Sequence, residues 1–258
     1  ALPIYVMIPK HKAKQVAGFG VESIEYHLGG SFRGTFYTLN DNIINGRIRG
    51  VAGVVGCNNA RTRHNEDHLL IVKELIKNDV LVLTTGCTAI ACAMDGLLAP
   101  ETAAAAAGPG LAEVCETVGI PPVLHLGSCV DNSRILLAAT EVVNAGGLGT
   151  DLSDLPVAGS APEWMSEKAI SIGQYFVTSG VYTVFGYMLP TSGAPVFHDY
   201  MSKELENIYG GMWDVEADPI KHAHMMIAHI DKKRKELGID RARERVLMDM
   251  ADRQALQA

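Results

Sequence analysis

The order of apolar and polar residues along the chain predicts alternating buried strands and amphipathic helices. Short apolar runs such as VLVLT are typical of strands buried on both faces, and apolar residues every three or four positions are typical of packed helices. The predicted strands are residues 3–8, 50–56, 80–84, 122–126, 155–159 and 181–184. The predicted helices are residues 21–28, 36–44, 67–77, 88–97, 103–118, 133–143, 163–177, 197–209, 220–237 and a charged tail at 240–257.

This alternation of strands and helices predicts the fold class. Consecutive parallel strands are joined by right-handed crossovers, and the crossover helices cover both faces of the sheet. We therefore expect an α/β protein with a Rossmann-like, doubly wound parallel sheet. We expect residues 1–48 to be the end of a preceding α/β domain or a linking segment, and residues 49–258 to form the Rossmann-like domain.

Composition narrows the classes of function. The chain has 258 residues, 48% of them hydrophobic, which is enough for a sizeable core. Its net charge of -7 argues against electrostatic binding to nucleic acid or to an anionic membrane, and the longest apolar runs are too short to span a bilayer. Five cysteines without a predicted signal peptide favour free or metal-bound thiols in a reducing cytoplasm.

Three cysteines follow predicted strands. Cys57, Cys87 and Cys129 each come directly after glycine or after Gly-Ser. The carboxyl ends of parallel strands line one crevice, so we expect these thiols to converge. A thiol between a strand end and a helix N-terminus is favoured as thiolate, which is a soft metal ligand. One such cysteine is more often an ordinary buried thiol, but three equivalent ones favour a metal site. Cys92 and Cys115 fall inside predicted helices and are interpreted as buried thiols.

Lys168 follows the fourth predicted strand by one turn of helix, on the crevice side of the sheet. The simplest interpretation is a surface lysine. Near a metal cluster, however, its pKa can fall, and the side chain can then donate a proton or stabilise a developing carboxylate. The histidines near these positions are interpreted as non-ligands. His64 and His68 are expected to be cap or surface residues near Cys57, or alternatively residues that support a metal ligand without binding the metal. His125 is expected in the core, and His222, His224 and His229 on a solvated or interface face.

Four segments together resemble a known family. They are VVGCNNARTRHNEDH (54–68), NDVLVLTTGC (78–87), PPVLHLGSCVDNSR (121–134) and WMSEKAISIG (164–173). They are similar to the C-terminal part of the nickel–iron–sulfur carbon monoxide dehydrogenases, most of all to the bacterial type that works with acetyl-CoA synthase. The resemblance extends over nearly the whole chain, and GCNN and GSCVDNSR at this spacing carry it.

The resemblance implies a site built on a Ni-Fe-S cluster of nickel, iron and sulfide. By position, Cys129 resembles the nickel ligand, and Cys57 and Cys87 resemble ligands of two cubane irons. Lys168 resembles the lysine that interacts with bound carbon dioxide or its carboxylate precursor. Ile172 resembles the apolar residue that crowds the open position of the nickel. The implied activity interconverts CO plus water and CO2 plus two electrons and two protons.

The resemblance also implies that this chain is one portion of a longer enzyme and is inactive alone. The remaining cluster ligands, and further 4Fe-4S clusters, are expected only in an N-terminal part. The implied partners are a second copy of the full enzyme, an acetyl-CoA synthase subunit and a ferredoxin-type electron carrier.

Two other interpretations stay open at this point. One is a hybrid-cluster (prismane-type) iron–sulfur reductase of the same fold group, against which GSCVDNSR and the helix containing Glu167 and Lys168 argue. The other is a non-catalytic α/β module used for assembly or metal delivery. Nickel content distinguishes the first alternative, and failure to take up a coloured cluster would favour the second.

Overall fold

The computed structural model describes residues 12–30 and 34–241. Within them a six-stranded sheet has the order β3-β2-β1-β4-β5-β6, and every strand pair is parallel. The strands are β1 Gly50–Val54, β2 Val80–Thr85, β3 Val123–Gly127, β4 Val157–Ala161, β5 Thr183–Phe185 and β6 Trp213–Val215. The predicted strand 3–8, and all but the first two residues of the predicted helix 240–257, lie outside the described residues.

The strand order of the sheet reverses at β1. This strand pairs with β2 on one side and with β4 on the other, so the chain builds one half of the sheet and then the other. In sheets of this order the crevice for ligands lies outside the carboxyl ends of the strands at the change of direction. The prediction of a Rossmann-like, doubly wound parallel sheet is confirmed.

Helices cover both faces of the sheet. On one face α11 packs closely against β1: a side-chain carbon of Ile230 lies 2.6 Å from the position that a Cβ atom on Gly50 would take. On the other face Ile135 of α7 and Phe176 of α8 approach Gly53. The helices are α1 Val21–Leu28, α2 Tyr37–Ile44, α3 Glu66–Lys77, α4 Gly86–Met94, α5 Thr102–Ala106, α6 Pro109–Val118, α7 Ser133–Ala145, α8 Glu167–Thr178, α9 Pro195–Lys203, α10 Leu205–Tyr209 and α11 Pro219–Glu236.

The main hydrophobic core runs through the centre of the sheet and extends to the residues that precede it. Phe19, Ile24 and Phe36 belong to the same buried cluster as Val54 and Leu83. The described part of residues 12–48 therefore packs against the sheet, and the domain boundary at residue 48 stays a prediction. No helix in residues 12–30 or 34–241 combines the length and apolarity that crossing a membrane requires.

Several local features differ from the sequence prediction. The predicted helix 197–209 is two helices, α9 and α10, which are separated at Glu204. The predicted helix 163–177 begins later, at Glu167, because the preceding residues form a loop that is bonded to the residues after β1. Strand β6, Trp213–Val215, was not predicted, because Asp214 interrupts its apolar residues, whereas the equally short β5 overlaps the mostly apolar run 181–184.

Candidate functional site

One cavity of about 420 Å³ lies at the carboxyl ends of β1, β2 and β3 and beside the start of α8. All five residues predicted from the sequence line it: Cys57, Cys87, Cys129, Lys168 and Ile172. The other lining residues are Gly56, Gly86, Ile90, His125, Gly127, Ser128, Asn132 and Ala169. The structure thus brings the five together, while their roles stay predictions.

The five cysteines fall into two groups. Cys129 is exposed and Cys57 and Cys87 are half-buried at the cavity, whereas Cys92 and Cys115 are buried. Burial raises the pKa of both Cys92 and Cys115 to about 12, so these two thiols stay protonated. Their interpretation as ordinary buried thiols agrees with this environment.

The three cavity thiols are spread around a space larger than one ion needs. Among the described residues, no three His, Cys, Asp or Glu side chains converge closely enough to bind a single metal ion. A one-metal site of the zinc type is therefore not formed in this part of the chain. The arrangement instead leaves room for a polynuclear group with one thiol at each of several metals.

Glycine is required where the strands turn into the cavity. Gly56, Gly86 and Gly127, which precede the three cysteines, have φ values of 140°, 57° and 142°. A Cβ on Gly56 would lie 2.8 Å from the Glu163 carbonyl oxygen, so a side chain there is excluded by space as well as by backbone conformation.

The turn that carries Cys129 is held by its own polar side chains. Residues Cys129–Asp131 form a short 3-10 helix, and the Asp131 carboxylate accepts from the backbone N–H of Ser128 at 2.8 Å. Hydrogen bonds from Ser128 lower the pKa of Asp131, and Arg134 lies 3.1 Å from its carboxylate. Asp131 thus caps the 3-10 helix, and Asn132 is the N-cap residue of α7 but makes no side-chain cap bond to it.

Asn132 joins β2 to the Cys129 backbone. The Thr85 hydroxyl donates to Asn132 Oδ1 at 2.6 Å, and Asn132 Nδ2 donates to the Cys129 carbonyl oxygen, also at 2.6 Å. Thr85 and Asn132 are both buried. The amide therefore holds the Cys129 turn against the end of the strand that leads to Cys87.

His68 makes an equivalent bridge on the other side of Cys87. Its Nε2 lies 2.8 Å from the Cys57 carbonyl oxygen, and its Nδ1 lies 3.0 Å from the Thr88 hydroxyl. The prediction of a cap or surface residue was wrong for His68, which is fully buried on the inner side of α3. Burial lowers its pKa, so the ring is neutral near pH 7.

Glu163 is a site residue that sequence reasoning missed. It is fully buried, and its backbone oxygen accepts from the N–H of Cys57 at 3.0 Å. Its Oε2 accepts from the N–H of Asn59 and from the hydroxyl of Thr62, each at 2.7 Å. Its Oε1 has no hydrogen-bond partner in the described structure and lies 3.9 Å from Nε2 of His68. Glu163 thus ties the loop after β1 to the loop that leads to α8.

The histidines of α11 are not a solvated face, so that prediction was wrong in part. His222 is buried against Ser160 of β4, with Nε2 2.7 Å from the hydroxyl. His229 stacks on Tyr182 with ring centroids 4.5 Å apart. His224 does lie on the exposed side.

The donor set of the cavity fits a Ni-Fe-S cluster. Three thiols are the soft ligands that nickel, iron and sulfide clusters use, and no carboxylate, the ligand of harder cations, is among the lining residues. The walls contributed by Ile90, Ala169 and Ile172 are apolar, and Lys168 is a cation at the rim.

The family is established by comparison with known proteins. The model of the Prismane/CO dehydrogenase family matches residues 7–220. The chain belongs to this family. The resemblance to the carbon monoxide dehydrogenases that was inferred from the four sequence segments is thereby confirmed, whereas the relative from the acetyl-CoA synthase type, at 35% identity, is less similar than the Methanosarcina mazei enzyme, at 54%.

Named relatives are carbon monoxide dehydrogenases. Carbon monoxide dehydrogenase 1 of Methanosarcina mazei is 54% identical over 235 residues, which are 91% of this chain and 36% of that protein. The Rhodospirillum rubrum enzyme is 38% identical over 92% of this chain and 38% of its own length. The carbon monoxide dehydrogenase/acetyl-CoA synthase subunit beta of Moorella thermoacetica is 35% identical over 92% of this chain and 36% of its own length. The chain therefore spans little more than one third of these relatives.

Solved structures agree with the described fold. A nickel-free carbon monoxide dehydrogenase from Thermococcus sp. AM4 matches with a TM-score of 0.84 and 51% identity, over 90% of this chain and 36% of that chain. A match at TM-score 0.82 and 35% identity, over 87% of this chain and 34% of that one, comes from an acetyl-CoA synthase/carbon monoxide dehydrogenase assembly. That assembly is described with NiZn[Fe4S4] and NiNi[Fe4S4] clusters in its alpha subunits. The same fold thus occurs in assemblies that hold nickel and iron–sulfur clusters.

Proposed function

We propose that this chain is the C-terminal portion of an anaerobic carbon monoxide dehydrogenase. Its activity interconverts CO plus water and CO2 plus two electrons and two protons. The observation that carries the proposal is that three thiols and Lys168 line one cavity at the carboxyl edge of the sheet. Relatives named carbon monoxide dehydrogenase support it and favour it over a hybrid-cluster reductase.

Each cavity cysteine is proposed to bind a different metal of a Ni-Fe-S cluster. Cys129 is the proposed nickel ligand, and Cys57 and Cys87 are the proposed ligands of two cubane irons. When bound, the cluster supplies the binding position for CO and for hydroxide, and it stores the two electrons. Each thiol follows a different strand end, so the sheet brings the three proposed ligands to one edge.

Lys168 is the proposed electrostatic and proton-transfer group. It is the second residue of α8, so its ammonium and the helix N-terminus both favour an anion at the rim of the cavity. Negative charge develops on oxygen when CO2 forms or is bound, and a nearby ammonium stabilises that charge. The same group can hold or release one of the two protons of the reaction.

Ile172 lies one turn after Lys168 on the same helix. With Ile90 and Ala169 it gives the cavity an apolar wall, which excludes water and leaves room for a small ligand such as CO. A low local dielectric also strengthens the interaction between Lys168 and an anionic oxygen.

Three thiols leave such a cluster short of ligands. We propose that the remaining ligands, and further 4Fe-4S clusters, come from the rest of a longer protein, as the length of the relatives suggests. Proposed partners are a second copy of that protein, an acetyl-CoA synthase subunit and a ferredoxin-type electron acceptor. The five free cysteines suit a reducing cytoplasm.

The test uses the longer protein that contains this chain, produced without oxygen in medium with iron, sulfide and nickel. The measurements are nickel and iron content and the CO-dependent reduction of a viologen dye. We expect activity that requires nickel. An iron–sulfur protein that takes up no nickel would instead favour the hybrid-cluster function, and a protein that takes up no cluster would favour an assembly module.

A further inference from the structure

Two buried hydrogen-bond bridges leave the strand–helix junction that carries Cys87, one to each of the other cavity cysteines. We propose that these bridges set the distances between the three thiols, with Asn132 and His68 as positioning residues. The inference rests on the proposed function, because it assigns the bridges to the same cluster site. It adds two residues that act through the backbones of the cysteines and are not proposed as ligands.

The first bridge runs from Thr85, two residues before Cys87, through Asn132 to the carbonyl oxygen of Cys129. Thr85 is 1% exposed and Asn132 is 4% exposed, so water does not compete for these bonds. Because the accepting carbonyl belongs to Cys129 itself, any shift of Asn132 moves the backbone on which that thiol is carried.

The second bridge runs from Thr88, the residue after Cys87, through His68 to the carbonyl oxygen of Cys57. A carbonyl oxygen can only accept, so Nε2 of His68 carries the hydrogen and Nδ1 accepts from the Thr88 hydroxyl. Thr88 and His68 are both fully buried. The ring thus has one tautomer and one orientation, which makes it a rigid spacer between the two cysteine segments.

The two bridges share a pattern. Each begins at a threonine hydroxyl that flanks Cys87, and each ends on the backbone oxygen of another cavity cysteine. A buried polar network in which every member is paired is rigid. The three cysteine backbones therefore keep their relative positions before any metal binds, as a preorganised site requires.

The test replaces single hydroxyls. Thr85→Val and Thr88→Val remove the start of each bridge with little change in volume, and Thr85→Ser and Thr88→Ser retain the hydroxyl. The matched control is Thr84→Val. Thr84 is equally buried in β2, but its hydroxyl has no partner in the described structure.

The measurements on the cluster-loaded longer protein are the EPR spectrum, the midpoint potential and the rate of iron loss to a chelator. We expect Thr85→Val and Thr88→Val to lose iron roughly 10-fold to 100-fold faster and to shift the spectrum, as loss of outer-shell partners does. The serine variants and Thr84→Val should match the wild type. A melting scan of each variant separates loss of fold from loss of spacing.

A crystal structure of the metal-free Thr88→Val protein supplies a readout without the cluster. We expect the Cys57–Cys87 sulfur distance to change relative to Thr84→Val; should Thr88→Val not fold, Asn132→Ala tests the Cys129 bridge in the same way. Unchanged sulfur distances would overturn the proposal. If the wild type carries the cluster, Thr85→Val and Thr88→Val proteins that behave like Thr84→Val would also overturn it. A wild type that binds no cluster would overturn the proposed function, and the sulfur distances would still decide whether the bridges set the spacing.

Discussion

A buried histidine connects a hydroxyl group to a backbone oxygen in each half of the sheet, the half with β1, β2 and β3 and the half with β4, β5 and β6. In one half His68 joins the Thr88 hydroxyl to the carbonyl oxygen of Cys57, at 3.0 and 2.8 Å. In the other half His222 lies 2.7 Å from the Ser160 hydroxyl and 3.1 Å from a backbone oxygen just before α11. Both rings are buried, and burial lowers the pKa of both.

The difference is where each bridge ends. The first ends on a cysteine that lines the cavity, and the second ends on the segment that leads into α11 and fastens that helix to β4. A buried, neutral histidine is therefore no sign of a site by itself. The half that contains β1, β2 and β3 has the site because its strand ends place thiols at the crevice, and the other half contributes Lys168 and the outer core.

The largest expected loss of activity follows from replacing a cavity cysteine, a residue type that lines the cavity from only one half of the sheet. Cys57→Ala, Cys87→Ala or Cys129→Ala should each lower CO oxidation by at least about 100-fold, because a direct ligand matters more than an outer-shell partner. Cluster content should fall with activity in metal analysis.

The matched control is Cys115→Ala. Its buried thiol lies outside the cavity, so activity should stay near the wild-type value while the free energy of unfolding falls by about 1 kcal/mol. Equal losses of activity in Cys115→Ala and Cys57→Ala would show that the cavity has no special role.

Lys168 provides the second largest effect. Lys168→Ala should lower CO oxidation by about 100-fold with nickel and iron content unchanged, because it removes a proton donor and a positive charge without removing a ligand. Lys203→Ala is the control, since that exposed lysine on α9 lies outside the cavity and pairs with Asp199 at 3.1 Å. Full activity in Lys168→Ala would contradict the proposed role.

We expect the free energy of unfolding to depend on pH because of His222, which lies in the half of the sheet without cavity thiols. Burial lowers its folded pKa to about 4, below the unfolded value of 6.5, so the unfolded chain binds more protons between these pH values. The contribution is complete above pH 6.5 and is lost as the pH falls toward 4, with a total of about 3 kcal/mol.

Denaturant unfolding between pH 4 and pH 8 measures this slope. His222→Gln should show a shallower slope below pH 6.5, by about one proton, and no difference in slope at pH 7 to 8. Identical slopes in the two proteins would show that folding does not lower the pKa of His222.

Ile172 should give the smallest effect. Ile172→Ala widens the cavity wall, and we expect the KM for CO to rise by up to about tenfold while kcat changes little, because an apolar contact to a small ligand is lost. Ile208→Ala is the control, since Ile208 is 54% exposed on α10. A drop in kcat as large as that of Lys168→Ala would instead assign Ile172 to positioning the reacting groups.

The sheet and the convergence of the thiols could be predicted because both depend on short-range signals. Each strand from β1 to β5 overlaps a short, mostly apolar run, each cavity cysteine follows glycine or Gly-Ser, and the rules for parallel sheets bring strand ends to one edge. The assignments of Lys168 and Ile172 depended on the family resemblance.

The supporting residues could not be predicted, because their partners are far away in sequence. Glu163 bonds to residues that follow β1, and the segment HNEDH around His68 also suits a solvated first turn. For His222 a signal was present. It shares a helical stripe with Met226 and Ile230, which are both buried, and this spacing indicates an inward face.

Four of the cavity residues come from four separate crossovers of the sheet: Cys57, Cys87, Cys129 and Lys168. The shortest stretch of the chain that contains all four runs from residue 57 to residue 168. During synthesis the pocket therefore does not exist until the ribosome has passed the start of α8. A factor that delivered metal to the proposed cluster would act on a sheet that is already folded, and a protease cut in any one of the intervening crossovers would leave the proposed ligands on separate polypeptides.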